Sequence, residues 1–180
     1  MINYGYSKLI MKKLVVALMI GAFGFANAQT DAFKGSGDLK AQVGANFQKW
    51  GTGIQASLDY GLGESFSIGA VGGYVLGFKE FTGVDKPSAD QRFDLKARAS
   101  AHLGDVIGLP QNVDLYPGLD LGLKNFGGHV GARVFFEKGF GLFTEIQFPI
   151  AKFKKEAAVY QLLNNQFNVA VGASFDISKK

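Results

Sequence analysis

Arg92, Asp94, Lys96 and Arg98 fall at every second residue, and Ser100 and His102 continue the same phase. Alternating cations and carboxylates in one phase can form charge-assisted pairs. A serine two residues from a histidine, with Glu145 as a third group, is also the raw material of an activated hydroxyl for acyl transfer. Such a pairing is common by chance, so no catalytic residue is assigned from it. His129 stands beside Gly127 and Gly128 and reads as a polar group opening a strand, not as a metal ligand. GGHVG and GLGES hold glycines but are not followed by a helix, so neither is a phosphate loop. Cysteine is absent, which removes disulfides, thiolate chemistry and lipid attachment. The sequence therefore predicts neither cofactor nor metal.

The elements that must carry these residues are strands. In RFDLKARASAHL, residues 92 to 103, Phe93, Leu95, Ala97, Ala99, Ala101 and Leu103 alternate with the polar set. Similar alternation marks segments 38–47, 53–60, 66–76, 113–124, 129–136, 142–150 and 166–177. GLGES (61–65), NFGG (125–128) and EKGF (137–140) separate them with turn chemistry, as an antiparallel meander requires. In phase with Phe93 every position is apolar except Thr144 and Gly72. The opposite face takes Asp38, Lys40, Asp59, Arg92, Asp94, Lys96, Arg98, Asp114, Asp120, Lys124, Arg133, Glu145 and Asp176.

Alternation does not say which face is inside. A soluble carrier of an apolar ligand would turn the apolar face inward, whereas a membrane barrel would turn it to lipid. Three features favour the membrane. The aromatics of the apolar face, Phe47, Tyr60, Phe66, Tyr74, Phe93, Phe136, Phe148, Phe167 and Phe175, sit near segment ends, as interfacial girdles do. The segment lengths suit tilted strands crossing a bilayer. The charged face is close to neutral, as paired groups in a confined interior must be. Eight strands leave an interior just wide enough for side chains to fill, so Arg92, Arg98, Arg133 and Lys96 are expected to pair with Asp94, Asp114, Asp120 and Glu145 and close the lumen. Pro117 and Pro149 interrupt two segments, and a bulge or kink is expected at each.

Residues 12–28, KKLVVALMIGAFGFANA, join two lysines, a short apolar stretch and a small-residue end. Residues 1–28 are thus expected to be a cleaved signal peptide, with Met11 the expected start and 29–180 the barrel domain. Lys8, Lys12 and Lys13 leave with it and take most of the net charge of +4, which argues against a nucleic-acid partner. With a periplasmic N-terminus, residues 77–91 and 151–165 become surface loops that could meet a protein partner, and 61–65 and 137–140 become short periplasmic turns. Lys152, Lys154 and Lys155 would then stand where lipopolysaccharide phosphates lie. The connections at 48–52 and 125–128 are short for that side, and the periplasmic GDVIGLPQN (104–112) is longer than the pattern suggests.

VAVGASFDI, residues 169 to 177, with Gly172, Phe175 and Ile177, resembles the signal by which barrel-assembly machinery recognises outer-membrane proteins. Ile177 in place of an aromatic and the trailing Ser178, Lys179 and Lys180 depart from it. With the ANAQ leader end and PGLDLGLKNFGGHVGARVFF (117–136), the chain resembles the small outer-membrane proteins of Bacteroidota, of the eight-stranded OmpA/OmpX type. That resemblance implies an all-β, eight-stranded antiparallel up-and-down transmembrane barrel in a Gram-negative cell envelope, with lipid and lipopolysaccharide as surroundings. It implies almost nothing about activity, because the fold hosts several. Some eight-stranded outer-membrane barrels are lipid A acylhydrolases with a serine, a histidine and an acid, so a lipid-modifying enzyme stands as a third reading behind the soluble carrier. The expectation is a structural or surface-interaction protein, not an enzyme, with no open pore.

Overall fold

The computed structural model describes residues 31–136, 139–153 and 159–178. The segment read as a signal peptide, and Lys154 and Lys155, lie outside them. Eight antiparallel strands follow one another: β1 (Leu39–Gln48), β2 (Gly51–Gly63), β3 (Phe66–Phe78), β4 (Phe93–Ala101), β5 (Val113–Gly122), β6 (Asn125–Phe135), β7 (Phe140–Lys152) and β8 (Asn168–Asp176). Each pairs with its neighbour, and β1 returns to β8 from Lys40↔Asp176 to Gln48↔Asn168, so the sheet closes into a barrel with no free edge. The first and last described residues, Asp31 and Ser178, lie at one end, called the terminal end. At the other, the loop end, the short helix α1 (Ala89–Arg92) and a 3-10 turn at Val159–Leu162 fold over the mouth.

The wall turns its apolar face outward. Val43, Ile54, Leu58, Ile68, Leu95, Leu119, Leu121, Ile146 and Val171 are exposed, while Lys40, Asp59, Lys96, Arg98, Asp114, Asp120, Arg133 and Glu145 are buried. An apolar-ligand carrier would need the opposite arrangement. Of the expected girdle residues, Phe47, Tyr74, Phe93, Phe148 and Phe167 face outward toward the loop end, and Tyr60, Phe66, Phe136 and Phe175 toward the terminal end. Phe140, which opens β7, packs between Phe136 and Phe175 and completes the second ring.

Several boundaries differ from the sequence reading. NFGG is not a turn: β6 already begins at Asn125, and the β5–β6 connection is Leu123–Lys124. His129 therefore lies in mid-strand and fully inside, not at a strand opening. At Pro149 the expected irregularity is present, since Phe126 pairs with Ala151 but Gly127 with Pro149. Pro117 instead pairs with Val130 on one side and lies just past the β4–β5 ladder on the other. That ladder runs only from Lys96↔Gly122 to Ser100↔Gly118, the shortest of the eight, because proline has no N–H to extend it. The one small apolar core among the described residues, Val75, Tyr160 and Leu163 with Phe78, Phe81 and Val159, fastens the loop-end cap.

Candidate functional site: the polar interior

The interior face of β5 presents Asp114, Tyr116, Gly118 and Asp120 in turn. Register then decides the partners. Asp114 is directly opposite Arg133 on β6, and Asp120 opposite Arg98 on β4, which is the cross-strand spacing at which unlike charges meet. Arg133 Nη2 is 3.0 Å from Asp114 Oδ2, Arg98 Nε is 3.4 Å from Asp120 Oδ1, and Arg98 Nη2 donates to Glu145 Oε1 at 2.9 Å.

Each β5 carboxylate also holds a histidine, and each histidine holds a serine. His102 Nδ1 is 2.7 Å from Asp114 Oδ2, and its Nε2 is 2.8 Å from Ser67 Oγ. His129 Nδ1 is 3.0 Å from Asp120 Oδ1, and its Nε2 is 3.0 Å from Ser100 Oγ. The barrel thus contains two Ser–His–Asp–Arg strings, with the Tyr116 ring 6.2 Å from each imidazole. Two glycines make room for them. A Cβ on Gly118 would lie 2.4 Å from His129 Cε1, and one on Gly131 would lie 2.2 Å from the Tyr116 ring, so both side chains lie flat across a neighbour that has none.

Neither string matches the Ser100, His102 and Glu145 grouping considered from sequence. His102 reaches to Ser67 and Asp114, Ser100 takes His129, and Glu145 is held by Arg98. Hydrolysis needs a reachable hydroxyl, free oxyanion donors and space for substrate. Ser67 and Ser100 are 1% and 2% exposed, and each Asp is shared with a guanidinium. The cavity beside His102 and Asp114 and the one beside Lys96 and Gln147 each hold about 10 Å³, enough for one water-sized sphere.

The rest of the interior is a web of neutral amides. Gln147 Nε2 donates to Glu145 Oε1 (2.7 Å) and to Gln55 Oε1 (3.0 Å), and Asn46 Nδ2 donates to Gln55 Oε1 (3.2 Å). Lys96 Nζ donates to Gln147 Oε1 (3.1 Å), Ser57 Oγ to Gln42 Oε1 (3.1 Å), and Gln42 Nε2 to Tyr116 Oη (3.1 Å). Charge patterning missed Gln42, Asn46, Gln55, Ser57, Tyr116 and Gln147 because they carry no charge. Their common phase with Arg98 was the available signal.

Other expected members of the ionic set lie elsewhere. Among the described residues Arg92 pairs with no carboxylate: it closes α1 at the mouth, donates to the carbonyls of Val75 (2.7 Å) and Leu76 (3.2 Å), and its guanidinium lies over the Tyr74 ring. Lys124 stands in the β5–β6 turn and donates to the carbonyls of Gln91 (2.7 Å) and Leu163 (3.3 Å), and burial there lowers its pKa below the ordinary lysine range. Asp38 and Lys40 form a separate cluster with Asp176 at the terminal end. Asp59 has no ion pair among the described residues, and Asp94 has only Lys96 Nζ at 3.8 Å. Lys152 is exposed at the end of β7. The two mouths are stopped differently. Gln48 Oε1 accepts from the Asn164 N–H at the loop end, and the Phe33 ring stacks on His102 at 3.6 Å at the terminal end.

Comparison with curated proteins and with solved structures gives no match. Residues 22–177, the whole barrel included, match a family described as a family of unknown function, DUF6646. An eight-stranded closed barrel with an ionic interior is thus the form this chain gives to that description, and the chain belongs to the DUF6646 family.

Proposed function

We propose that the chain is an integral outer-membrane barrel with a structural or surface-interaction role, its lumen stopped by its own side chains. One observation carries the reading: large apolar side chains cover the outside of the wall while Lys40, Arg98, Asp120, Arg133 and Glu145 fill the inside. In water that arrangement would expose a continuous apolar girdle far larger than a soluble monomer carries. In a bilayer it satisfies both solvents, because hydrocarbon wets the wall and the charges solvate one another. A closed barrel is also one of the two backbone forms that leave no polar group unpaired in lipid.

The interior supports a plug and not a pore. Arg98 bridges from β4 to Glu145 on β7, Arg133 pairs with Asp114 on the neighbouring strand, and the cavities beside Lys96 and beside His102 are each of single-water size. The burial of Ser67 and Ser100, at 1% and 2% exposure, supports a role other than catalysis. Lys152, with the neighbouring Lys154 and Lys155, would meet lipopolysaccharide phosphates, and the loops at 77–91 and 151–165 would meet a surface partner. The closing strand β8 would be read by barrel-assembly machinery.

Cell fractionation with gel electrophoresis of unheated and heated samples tests this. The expected result is an outer-membrane fraction whose mobility changes on boiling. A soluble fraction without that change would contradict the reading. Planar bilayer recording tests the plug separately, and steady porin-sized conductance would remove it.

A further inference from the structure

The β4–β5 connection at the terminal end begins with His102, which is held in the lumen by Asp114 and Ser67, yet beyond it the same connection exposes Val106 at 68% and Ile107 at 54%. We propose that this turn is a foot that enters the inner leaflet of the same membrane, seating Val106 and Ile107 among phospholipid acyl chains at the interface. The proposal rests on the membrane reading and adds a second lipid contact to it, at the periplasmic side.

Three observations carry it. First, the turn is hydrogen-bonded back to Leu103 and Gly104, the residues that continue β4. The Ile107 N–H donates to the Leu103 carbonyl at 3.0 Å and the Leu109 N–H to that of Gly104 at 2.8 Å, with Gly108 at φ +69° reversing the chain. Ile107 thus stands one helical turn beyond Leu103, the last residue of the outward phase of RFDLKARASAHL. Second, the β4–β5 connection carries a single charge, Asp105, and none in VIGLPQN after it, whereas the β3–β4 connection at the opposite end carries Lys79, Glu80, Asp85, Lys86, Asp90 and Arg92. A turn held in water gains nothing from two adjacent branched apolar residues at its tip, while an interfacial segment binds through them.

Third, the wall behind the turn is where backbone pairing is thinnest. Beyond Ser100↔Gly118 the β4–β5 seam continues through the Leu103 N–H to the Leu115 carbonyl at 2.9 Å, with Pro117 unable to donate between them. A seam of that kind at the edge of hydrocarbon is best held by elements that do not leave the lipid boundary. A foot anchored there keeps β4 and β5 at one depth.

The chain has one tryptophan, Trp50, in the β1–β2 turn at the far end, which makes the test clean. Trp50→Phe combined with Ile107→Trp places a single reporter on the foot, and Trp50→Phe with Leu95→Trp places one on the wall. Both are folded into phosphatidylcholine vesicles, plain or brominated at shallow or deep acyl positions, with heat-dependent mobility checking closure. The foot reporter is expected about 5–10 Å below the headgroup boundary. It should emit to the blue of free tryptophan, be quenched more by shallow than by deep bromines, and resist acrylamide several-fold better than free tryptophan. If the foot reporter emits and quenches as in water while the wall reporter is quenched by bromolipid, the foot is overturned and the barrel's membrane reading stands. If both reporters behave as in water, both fall.

Discussion

The two halves of the barrel interior solve the same problem with different chemistry. The wall made by β4, β5 and β6 is ionic: Arg98, Asp114, Asp120 and Arg133, with His102 and His129 threaded between them. Apart from Asp59 and the Asp38–Lys40–Asp176 cluster at the terminal end, the wall made by β1, β2, β7 and β8 is neutral, built on Gln42, Asn46, Gln55, Ser57, Gln147 and Asn168, with Glu145 at the junction. Both walls are equally dry, so the difference teaches what each can tolerate. A buried ion pair that loses one member leaves a naked charge, whereas an amide web that loses one member leaves unpaired dipoles. The ionic wall should therefore break harder than the neutral one.

The largest effect is expected at Arg98, which faces two carboxylates at once. Arg98→Met should cost about 3–5 kcal/mol by stranding Asp120 and Glu145. Urea unfolding in lipid vesicles measures it. Adding Asp120→Asn and Glu145→Gln to the same chain should recover most of that loss, and failure to recover would mean that packing, not charge, holds this wall. Next comes the neutral wall. Gln55 accepts from Asn46 and Gln147 and donates to Glu145, so Gln55→Leu should cost about 1–3 kcal/mol in the same assay, below Arg98→Met.

Smaller still is the terminal-end latch outside the walls. Lys34 reaches Asp176, and that hydrogen bond raises the lysine above its ordinary value of 10.5. A raised lysine stabilises the fold below its unfolded pKa, and that contribution disappears as pH rises through the folded one. Its side chain is 43% exposed, so screening should hold the contribution below about 1 kcal/mol. Proteolysis of residues 31–38 should consequently speed up only above roughly pH 10.5. The smallest change is expected at Ser174, which is buried on the neutral wall with a hydroxyl that has no partner among the described residues. Ser174→Ala should leave the unfolding midpoint unchanged or slightly raised, and a clear loss would reveal a partner for that hydroxyl.

What was legible in the sequence follows from period. Alternation such as that of Phe93 to Leu103 against Arg92 to His102 sorts residues onto two faces without any knowledge of neighbours, and each of the eight alternating segments became a strand. Turn position was less legible, because the glycines of NFGG look like a reversal but serve packing: a Cβ on Gly128 would lie 2.9 Å from Phe148 Cζ. Partnership was not legible at all. That His129 meets Asp120 and Ser100, and His102 meets Asp114 and Ser67, depends on inter-strand register, which no single strand encodes. Arg92 misled for a local reason, since α1 lifts it above the mouth although its phase is that of Asp94.

The central claim is that lipid wets the outer face of this wall, and an arginine placed there measures it most directly. Ala97 faces outward near the middle of β4, opposite Ala70 and Leu121. Ala97→Arg should lower the folding free energy in phosphatidylcholine vesicles by about 2–4 kcal/mol, as expected for a cation near the bilayer midplane. A change within about 0.5 kcal/mol, the ordinary cost of a substitution on a water-exposed surface, would contradict the account.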